Sequence, residues 1–160
     1  MPDSTPSNER KKVGMLIPPP FLLIGLVVAS TVAQLAWFGH FASSIIGVAA
    51  GVVLLAASLF LLGWSASTFK QAGTPVRPTS PAVTVVREGP YRFSRNPMYV
   101  GMAGLLAGFG LVGGSWFFAA ATLVFVAVVH FGVILPEERY LEALHGQAYQ
   151  SFKAEVRRWV

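Results

Sequence analysis

Four long apolar runs constrain the fold of this chain more than any other feature of its sequence. They extend over about Phe21–Phe38, Ile45–Phe69, Met98–Leu111 and Ser115–Leu135. A helix that crosses the hydrocarbon core of a bilayer needs about 20 predominantly apolar residues. Only 12% of all residues are charged, which is about half of what a soluble domain carries. The runs therefore predict an all-α integral membrane protein with about four transmembrane helices.

The last two runs are joined by only a glycine pair, Gly113-Gly114. Because glycine tolerates the backbone angles of tight turns, we interpret these two runs as a tight helical hairpin. Pro136 is expected to end or kink the last span, since proline cannot donate the helical hydrogen bond. The tail Glu137–Val160 mixes charged residues with apolar residues at helical spacing. This pattern predicts a C-terminal amphipathic helix at the cytoplasmic membrane face.

The chain is expected to form a single domain, 1–160, built from three parts. Residues 1–12 are polar and predict a disordered tail, residues 21–69 hold two N-terminal spans, and residues 70–160 hold the polar motifs. A basic start before an apolar run is also typical of a signal peptide. The first run continues beyond its candidate cleavage site, which favours an uncleaved span.

The distribution of basic residues predicts how the chain sits in the membrane. All twelve lysines and arginines lie in the N-terminal tail, the 70–95 loop or the C-terminal tail. With four spans these segments share one side, and the positive-inside rule makes that side cytoplasmic, with both termini there. We expect the inner, cytoplasmic membrane of a bacterium. Anionic membrane lipids explain the net charge of +5, nucleic acid is not an expected partner, and no oligomeric state is indicated.

The most polar stretch of the ordered chain, residues 87–101, reads REGPYRFSRNPMYVG. Asn96 is a residue type that caps helices by accepting hydrogen bonds from free backbone N–H groups. Pro97 suits the first helical position, so we predict a helix that begins there. Free amide donors close to Arg95 and its neighbouring arginines would favour an anion, such as a carboxylate or a phosphate.

A second polar cluster, Pro136-Glu137-Glu138-Arg139, directly follows the last apolar run. Charge at the end of a membrane span is an ordinary feature and needs no function. However, two antiparallel helices joined by a tight turn bring their far ends together. We therefore expect Arg95 and its neighbours to lie beside Glu137 and Glu138, where opposite charges side by side would suit a zwitterionic ligand.

His130 lies within the fourth run, two helical turns before Glu137. An ionisable residue inside a bilayer is a candidate for a functional role. A neutral histidine that is hydrogen-bonded across the bundle explains it equally well, and both interpretations stay open. The three histidines have no metal-ligand spacing and the chain has no cysteine, so we predict no metal site.

Two segments, GPYRFSRNPMYVG and PEERYLEALHGQAYQSFKAEVRRW, together with the hairpin between them, carry a resemblance. In this order they resemble the isoprenylcysteine carboxyl methyltransferase family and its phospholipid methyltransferase relatives, over about residues 70–160. The resemblance implies a membrane-embedded methyltransferase that depends on S-adenosylmethionine. It also implies a cofactor site at the cytoplasmic face and a lipophilic small molecule or a lipid as methyl acceptor, with a carboxylate as the expected acceptor group.

The resemblance also implies which residues would form the site. Carried over by position, the cofactor-binding residues would be Val83, Thr84, Val85, Val86, Tyr91, Asn96, Pro97, Met98, Tyr99 and Glu137. Arg95, Glu138 and His130 are the candidates for catalysis, since Arg95 can bind a carboxylate and either of the others can take a proton from an amine or thiol.

Two positions depart from the family pattern. Asn96 stands where the pattern has a histidine, and Val133 stands where the prenylcysteine enzymes carry an arginine expected to hold the substrate carboxylate. Two alternatives therefore stay beside carboxylate methylation. One is N- or S-methylation of a phospholipid or small thiol, and the other is a non-catalytic membrane module that binds lipid.

Overall fold

The structure is a computed structural model that describes residues 18–37, 43–72 and 86–160. Every regular element within these ranges is helical. The six α-helices are α1 (Pro19–Trp37), α2 (Ile45–Gln71), α3 (Pro97–Gly113), α4 (Trp116–Val129), α5 (Leu135–His145) and α6 (Gln147–Glu155). A short 3-10 helix, Gly89–Arg92, precedes α3, and a π-helical turn, His130–Ile134, joins α4 to α5. The predicted all-α class is confirmed, while the predicted tail 1–12 lies outside the described residues.

Three helical segments are long and apolar enough to cross a membrane. They are α1, α2 and the continuous segment Trp116–His145 that contains α4 and α5. The apolar helix α3 has 17 residues, which corresponds to about 25 Å at 1.5 Å per residue. That is slightly less than the roughly 30 Å hydrocarbon core. Three of the expected spans therefore have the required length.

Large apolar side chains cover the outside of the bundle. Leu35 is 74% exposed, Ile45 is 82% exposed and Phe60 is 69% exposed. Such continuous apolar surface is unfavourable in water, but it is the surface that acyl chains contact in a bilayer. The buried core is comparatively small and lies where α1, α3 and α4 meet, around Leu106 and Phe125.

The turn between α3 and α4 forms at the predicted glycine pair. Gly113 is the last residue of α3, and Gly114 takes a left-handed backbone with φ 56°, which favours glycine because it has no Cβ atom. The N–H groups of Gly114 and Ser115 both donate to the carbonyl of Gly110. These bonds close the tight hairpin that the sequence predicted.

Of the two expectations for Pro136, that it ends the last span is wrong, and that it kinks the span stays a prediction. The helical segment runs without a break from Trp116 to His145, and Pro136 lies in the first turn of α5. Just before it, the backbone widens into the π-helical turn, in which the Leu135 N–H donates to the His130 carbonyl. A wider turn removes the conflict between the proline ring and the preceding turn, so the helix continues.

The tail is also not the single amphipathic helix that its periodicity predicted. Gly146 has φ 51° and ψ −123°, a combination that only glycine adopts readily, and it separates α5 from α6. After Glu155 the backbone becomes extended at Val156. Residues 156–160, here called the C-terminal strap, then fold back against the start of α3. Apolar spacing could not reveal this, because the strap is held by backbone hydrogen bonds and an ion pair.

Close packing of α2 against α3 depends on glycines. A Cβ atom on Gly51 would lie 2.8 Å from Val112 Cγ2 and 2.9 Å from the Val112 backbone nitrogen. A Cβ atom on Gly101 or Gly108 would lie 2.8 Å from a leucine side chain of α2. Small residues of this kind let membrane helices approach closely. This contact sets where α3, and with it the polar stretch before it, lies relative to α2.

We predict that Gly51→Ala destabilises the protein, because the added methyl group would collide with the backbone of α3. Overpacking of this kind typically costs about 1–3 kcal/mol. Thermal unfolding in detergent micelles measures the effect. The matched control is Gly63→Ala in the same helix, since in the described part of the chain no atom beyond its neighbouring residues and its own helical backbone lies within 4 Å of its Cβ position. Equal unfolding temperatures for the two variants would contradict close α2–α3 packing.

Candidate active site

Charged side chains from three segments meet at one end of the bundle. Arg95 precedes α3, Glu137 and Glu138 lie in the first turn of α5, and Arg158 belongs to the C-terminal strap. Arg95 Nη1 lies 2.9 Å from Glu138 Oε1. The predicted meeting of the basic stretch with the acidic pair is therefore present. These four residues are called the charged corner below.

Glu138 is buried between two guanidinium groups. Arg158 Nε donates to Glu138 Oε1 at 2.8 Å and Arg158 Nη2 donates to Oε2 at 2.9 Å, which is the bidentate geometry of strong arginine–carboxylate pairs. The hydrogen bond to Glu138 raises the pKa of Arg158. Both carboxylate oxygens are thus engaged, and the buried negative charge is paired with Arg95 as well as Arg158.

Arg95 is buried but keeps hydrogen-bonding capacity. Its side chain is only 8% exposed, and its Nε has no hydrogen-bond partner among the described residues. Buried donors are nearly always satisfied in proteins, so a free one calls for an explanation. Tyr149, which is buried beside Arg95, has its pKa raised to about 12, mainly by burial and then by the charge of Glu138. Arg95 is therefore a buried cation with a donor available for an anion.

Glu137 has different surroundings from Glu138. Its carboxyl group accepts a hydrogen bond from the Tyr99 hydroxyl. Tyr91 lies close enough for the charge of Glu137 to affect its pKa. Burial first, and the charge of Glu137 second, raise the pKa of Tyr91, whose ring packs 4.8 Å from that of Phe69. No ion pair joins Glu137 to a lysine or arginine in the described part of the chain. Glu137 is the acid of the corner that can receive a cation.

Asn96 does not perform the capping role expected of it. The helix begins at Pro97 as predicted, but the Asn96 side chain makes no cap hydrogen bond, and its φ of −131° and ψ of 51° differ from the usual extended cap. Its Nδ2 instead donates to the Arg158 carbonyl at 2.9 Å. This hydrogen bond joins the start of α3 to the C-terminal strap.

Of the remaining predicted cofactor-binding residues, three lie within the described ranges. Pro97 is buried and Met98 is half-buried in the first turn of α3, next to the corner. Val86 is half-buried at the start of the third described range. Val83, Thr84 and Val85 lie outside the described residues.

His130 lies in the π-helical turn and is not part of the charged corner. Its Nδ1 accepts a hydrogen bond from Trp159 Nε1 at 3.1 Å, and the two rings are nearly parallel, with 18° between their planes. Of the two interpretations left open by the sequence, a histidine hydrogen-bonded across the bundle describes this contact. Trp159 directly follows Arg158, so the strap contacts both His130 and the corner.

Sequence reasoning missed the strap, although it supplies Arg158 to the charged corner. The Arg95 N–H donates to the Arg157 carbonyl at 2.9 Å, and Arg158 and Trp159 bind Glu138 and His130. One signal was available: Gly146 interrupts the amphipathic pattern, and Arg157-Arg158-Trp159 follow it at the end of the chain. These residues were instead assigned to a face of a continuous helix.

We predict that Glu138→Ala destabilises the protein severely, because it leaves the buried Arg95 without its anionic partner. Breaking a buried pair in this way costs about 3–5 kcal/mol. Thermal unfolding in detergent measures the change. The control is Lys153→Ala, which removes a 2.9 Å pair with Glu142 whose side chains are each about one-third exposed, and exposed pairs contribute little to stability. Similar losses for both variants would show that Glu138 is not the buried anchor described here.

Comparisons with known proteins agree with the motifs. No curated protein and no solved structure matches the chain. The model of one protein family, described as phospholipid methyltransferase, matches residues 46–148. That match extends from the first turn of α2 to the start of α6 and includes Arg95, Glu137 and Glu138, whereas the strap lies beyond it. The chain therefore belongs to the phospholipid methyltransferase family of methyltransferases.

Proposed function

We propose that this protein is an S-adenosylmethionine-dependent methyltransferase that methylates a lipid-type acceptor beside the charged corner. One observation carries the proposal: a buried arginine with a free donor pairs with Glu138, and the adjacent residue Glu137 has no cationic partner among the described residues. A zwitterion with a carboxylate and an ammonium group fits this arrangement of charges. The family assignment supports methyl transfer as the reaction.

The charges of the corner match the amino acid part of the cofactor. Arg95, through its free Nε, would bind the carboxylate, assisted by the start of α3 at Pro97 and Met98. Glu137, held by Tyr99, would bind the ammonium group. Bound in this way, S-adenosylmethionine supplies a sulfonium-linked methyl group that is open to attack by a nucleophile.

The other residues would contribute by orientation and by exclusion of water. Glu138 binds both arginines and so fixes Arg95 in place. Tyr91 and Tyr149 are 5% and 3% exposed and would exclude water from the charged corner. Val83, Thr84, Val85, Val86 and Asn96 are proposed as further contacts of the cofactor. Displacement at a methyl group needs alignment of the reacting atoms more than acid or base catalysis, so rigid placement is the main requirement.

The acceptor is proposed to reach the site from the bilayer. The bundle presents a large apolar surface, and the family description names phospholipids. Val133, at the position where the prenylcysteine enzymes carry an arginine, is 4% exposed and belongs to the apolar core. A substrate carboxylate therefore has no cation at that position. We place an amine in a phospholipid headgroup first among the acceptors. Its unprotonated nitrogen would take the methyl group from the sulfonium and leave S-adenosylhomocysteine, with the ammonium proton lost to water. A carboxylate acceptor would need no proton loss, and it stays a prediction for the measurement below.

We also propose four membrane crossings with the corner on the cytoplasmic side. The C-terminal end of α2 carries Lys70, the segment before α3 carries Arg92 and Arg95, and α5 carries Arg139. These cations lie at the ends of successive antiparallel helices that share one face. The positive-inside rule assigns that face to the cytoplasm, and α3 crosses as the shorter partner of the α4 hairpin.

We expect the purified protein to bind S-adenosylhomocysteine in calorimetry, and we expect Glu137→Gln to weaken that binding at least tenfold. The substitution removes the negative charge but keeps the shape, and a charged hydrogen bond contributes about 1.5–3 kcal/mol. The matched control is Glu142→Gln, which alters a carboxylate of the same helix that pairs with Lys153 at the surface. Absence of binding by the unaltered protein would contradict the proposed cofactor.

We expect methyl transfer from labelled S-adenosylmethionine to phosphatidylethanolamine in nanodiscs of mixed lipid composition. Mild base releases the label of a methyl ester as volatile methanol, whereas an N-methyl label stays on the headgroup even after the acyl chains are removed. Release of volatile label would replace the amine by a carboxylate acceptor. Cofactor binding without any labelled lipid would instead favour a non-catalytic lipid-binding module.

A further inference from the structure

The contact between His130 and Trp159 restricts what the histidine can do. Trp159 Nε1 lies 3.1 Å from His130 Nδ1. The indole N–H is a hydrogen-bond donor and cannot accept. His130 Nδ1 must therefore offer its lone pair to this bond and carry no proton. A neutral imidazole has one protonated nitrogen, so its proton is on Nε2.

Three neighbours hold the His130 ring in place. Trp159 binds it on one side in a nearly parallel arrangement, and Phe131 packs edge-on at 4.8 Å between ring centroids. The π-helical turn fixes the backbone of His130 itself. Trp159 is the one hydrogen-bond partner that the His130 side chain has within the described ranges. Its Nε2–H is thus available as a donor.

Trp159 is itself held by the neighbouring strap residues. Arg158 forms the bidentate pair with Glu138, and its carbonyl accepts a hydrogen bond from Asn96. The Arg157 carbonyl accepts from the Arg95 N–H. The Trp159 side chain also packs against the apolar core. Together these contacts hold the Trp159 indole in one position.

We propose that Trp159 is a positioning residue that keeps His130 in the Nε2–H tautomer, so that His130 donates a hydrogen bond to an anionic oxygen of the lipid acceptor. This inference rests on the proposed function. His130 lies two helical turns before Glu137, on the membrane side of the charged corner. This separation is about 10 Å along the helix. A phosphate or a carboxylate oxygen of the acceptor provides the chemistry that this donor recognises. A role as general base is excluded in this state, because the lone pair of His130 is bound to Trp159.

The tautomer can be measured without any enzymatic activity. In protein with ¹⁵N-labelled histidine, we expect the His130 ring to show a protonated Nε2 and an unprotonated Nδ1 across the neutral part of a pH series. His130→Gln assigns the signal by its loss. Trp159→Phe keeps an aromatic ring but removes the N–H, and we expect a mixture of both tautomers. A protonated Nδ1 in the unaltered protein, or an unchanged spectrum in Trp159→Phe, would overturn the proposal.

Kinetic measurements can tell whether His130 acts as a hydrogen-bond donor or as a general base. We expect His130→Ala to lower methyl transfer to phosphatidylethanolamine at least tenfold, mainly through KM for the lipid, and His130→Gln to restore most of the loss, since glutamine also offers an N–H donor. Affinity for S-adenosylhomocysteine should stay unchanged in both, and His145→Gln is the matched control. Equal inactivity of the glutamine and alanine variants, or full activity of His130→Ala, would overturn the donor role.

The proposed function and the role of Trp159 can be disproved separately. If the unaltered protein binds no S-adenosylhomocysteine and methylates no lipid, the proposed function fails, while the tautomer measurement still decides whether Trp159 positions His130. If the protein is active but the tautomer is not the expected one, the proposed function stands and the role of Trp159 fails.

Discussion

The buried carboxylate of Glu138 organises this end of the molecule. It binds Arg95 from the segment before α3 and Arg158 from the C-terminal strap, and it belongs to α5 itself. A charge removed from water is tolerated only when it is paired, so each of these segments depends on the others for its place. The ion pairs thereby hold together three segments that are distant in sequence.

Close packing of the helices, and not attraction between the charged groups, brings these residues together. Two membrane helices gain little from the hydrophobic effect against each other, because lipid tails are equally apolar. Glycines such as Gly51 and Gly101 let α2 and α3 approach closely, and Gly114 closes the hairpin to α4. The position of the polar groups at the membrane face follows from this packing, since it fixes the helix that begins at Pro97.

The two glutamates of one helical turn have separate surroundings, and this difference shapes the candidate chemistry. Glu138 is bound to guanidinium groups, while Glu137 lies between phenol groups. Adjacent residues of a helix point about 100° apart, so one faces the arginines and the other faces the tyrosines. The acidic pair thus combines a structural anchor with a carboxylate that has no cationic partner among the described residues.

The amino-acid sequence determined the helical class, the hairpin at Gly113-Gly114 and the meeting of Arg95 with the acidic pair, because apolar run length and glycine position are local properties. It could not determine the π-helical turn that carries the helix through Pro136, nor the strap that brings Arg158 and Trp159 to the site. The π-helical turn is formed by a local hydrogen bond, from the Leu135 N–H to the His130 carbonyl, that apolar spacing does not reveal. The strap depends on hydrogen bonds and an ion pair between residues far apart in the chain. Such contacts exist only once the helices have packed, so the tertiary structure alone decided them.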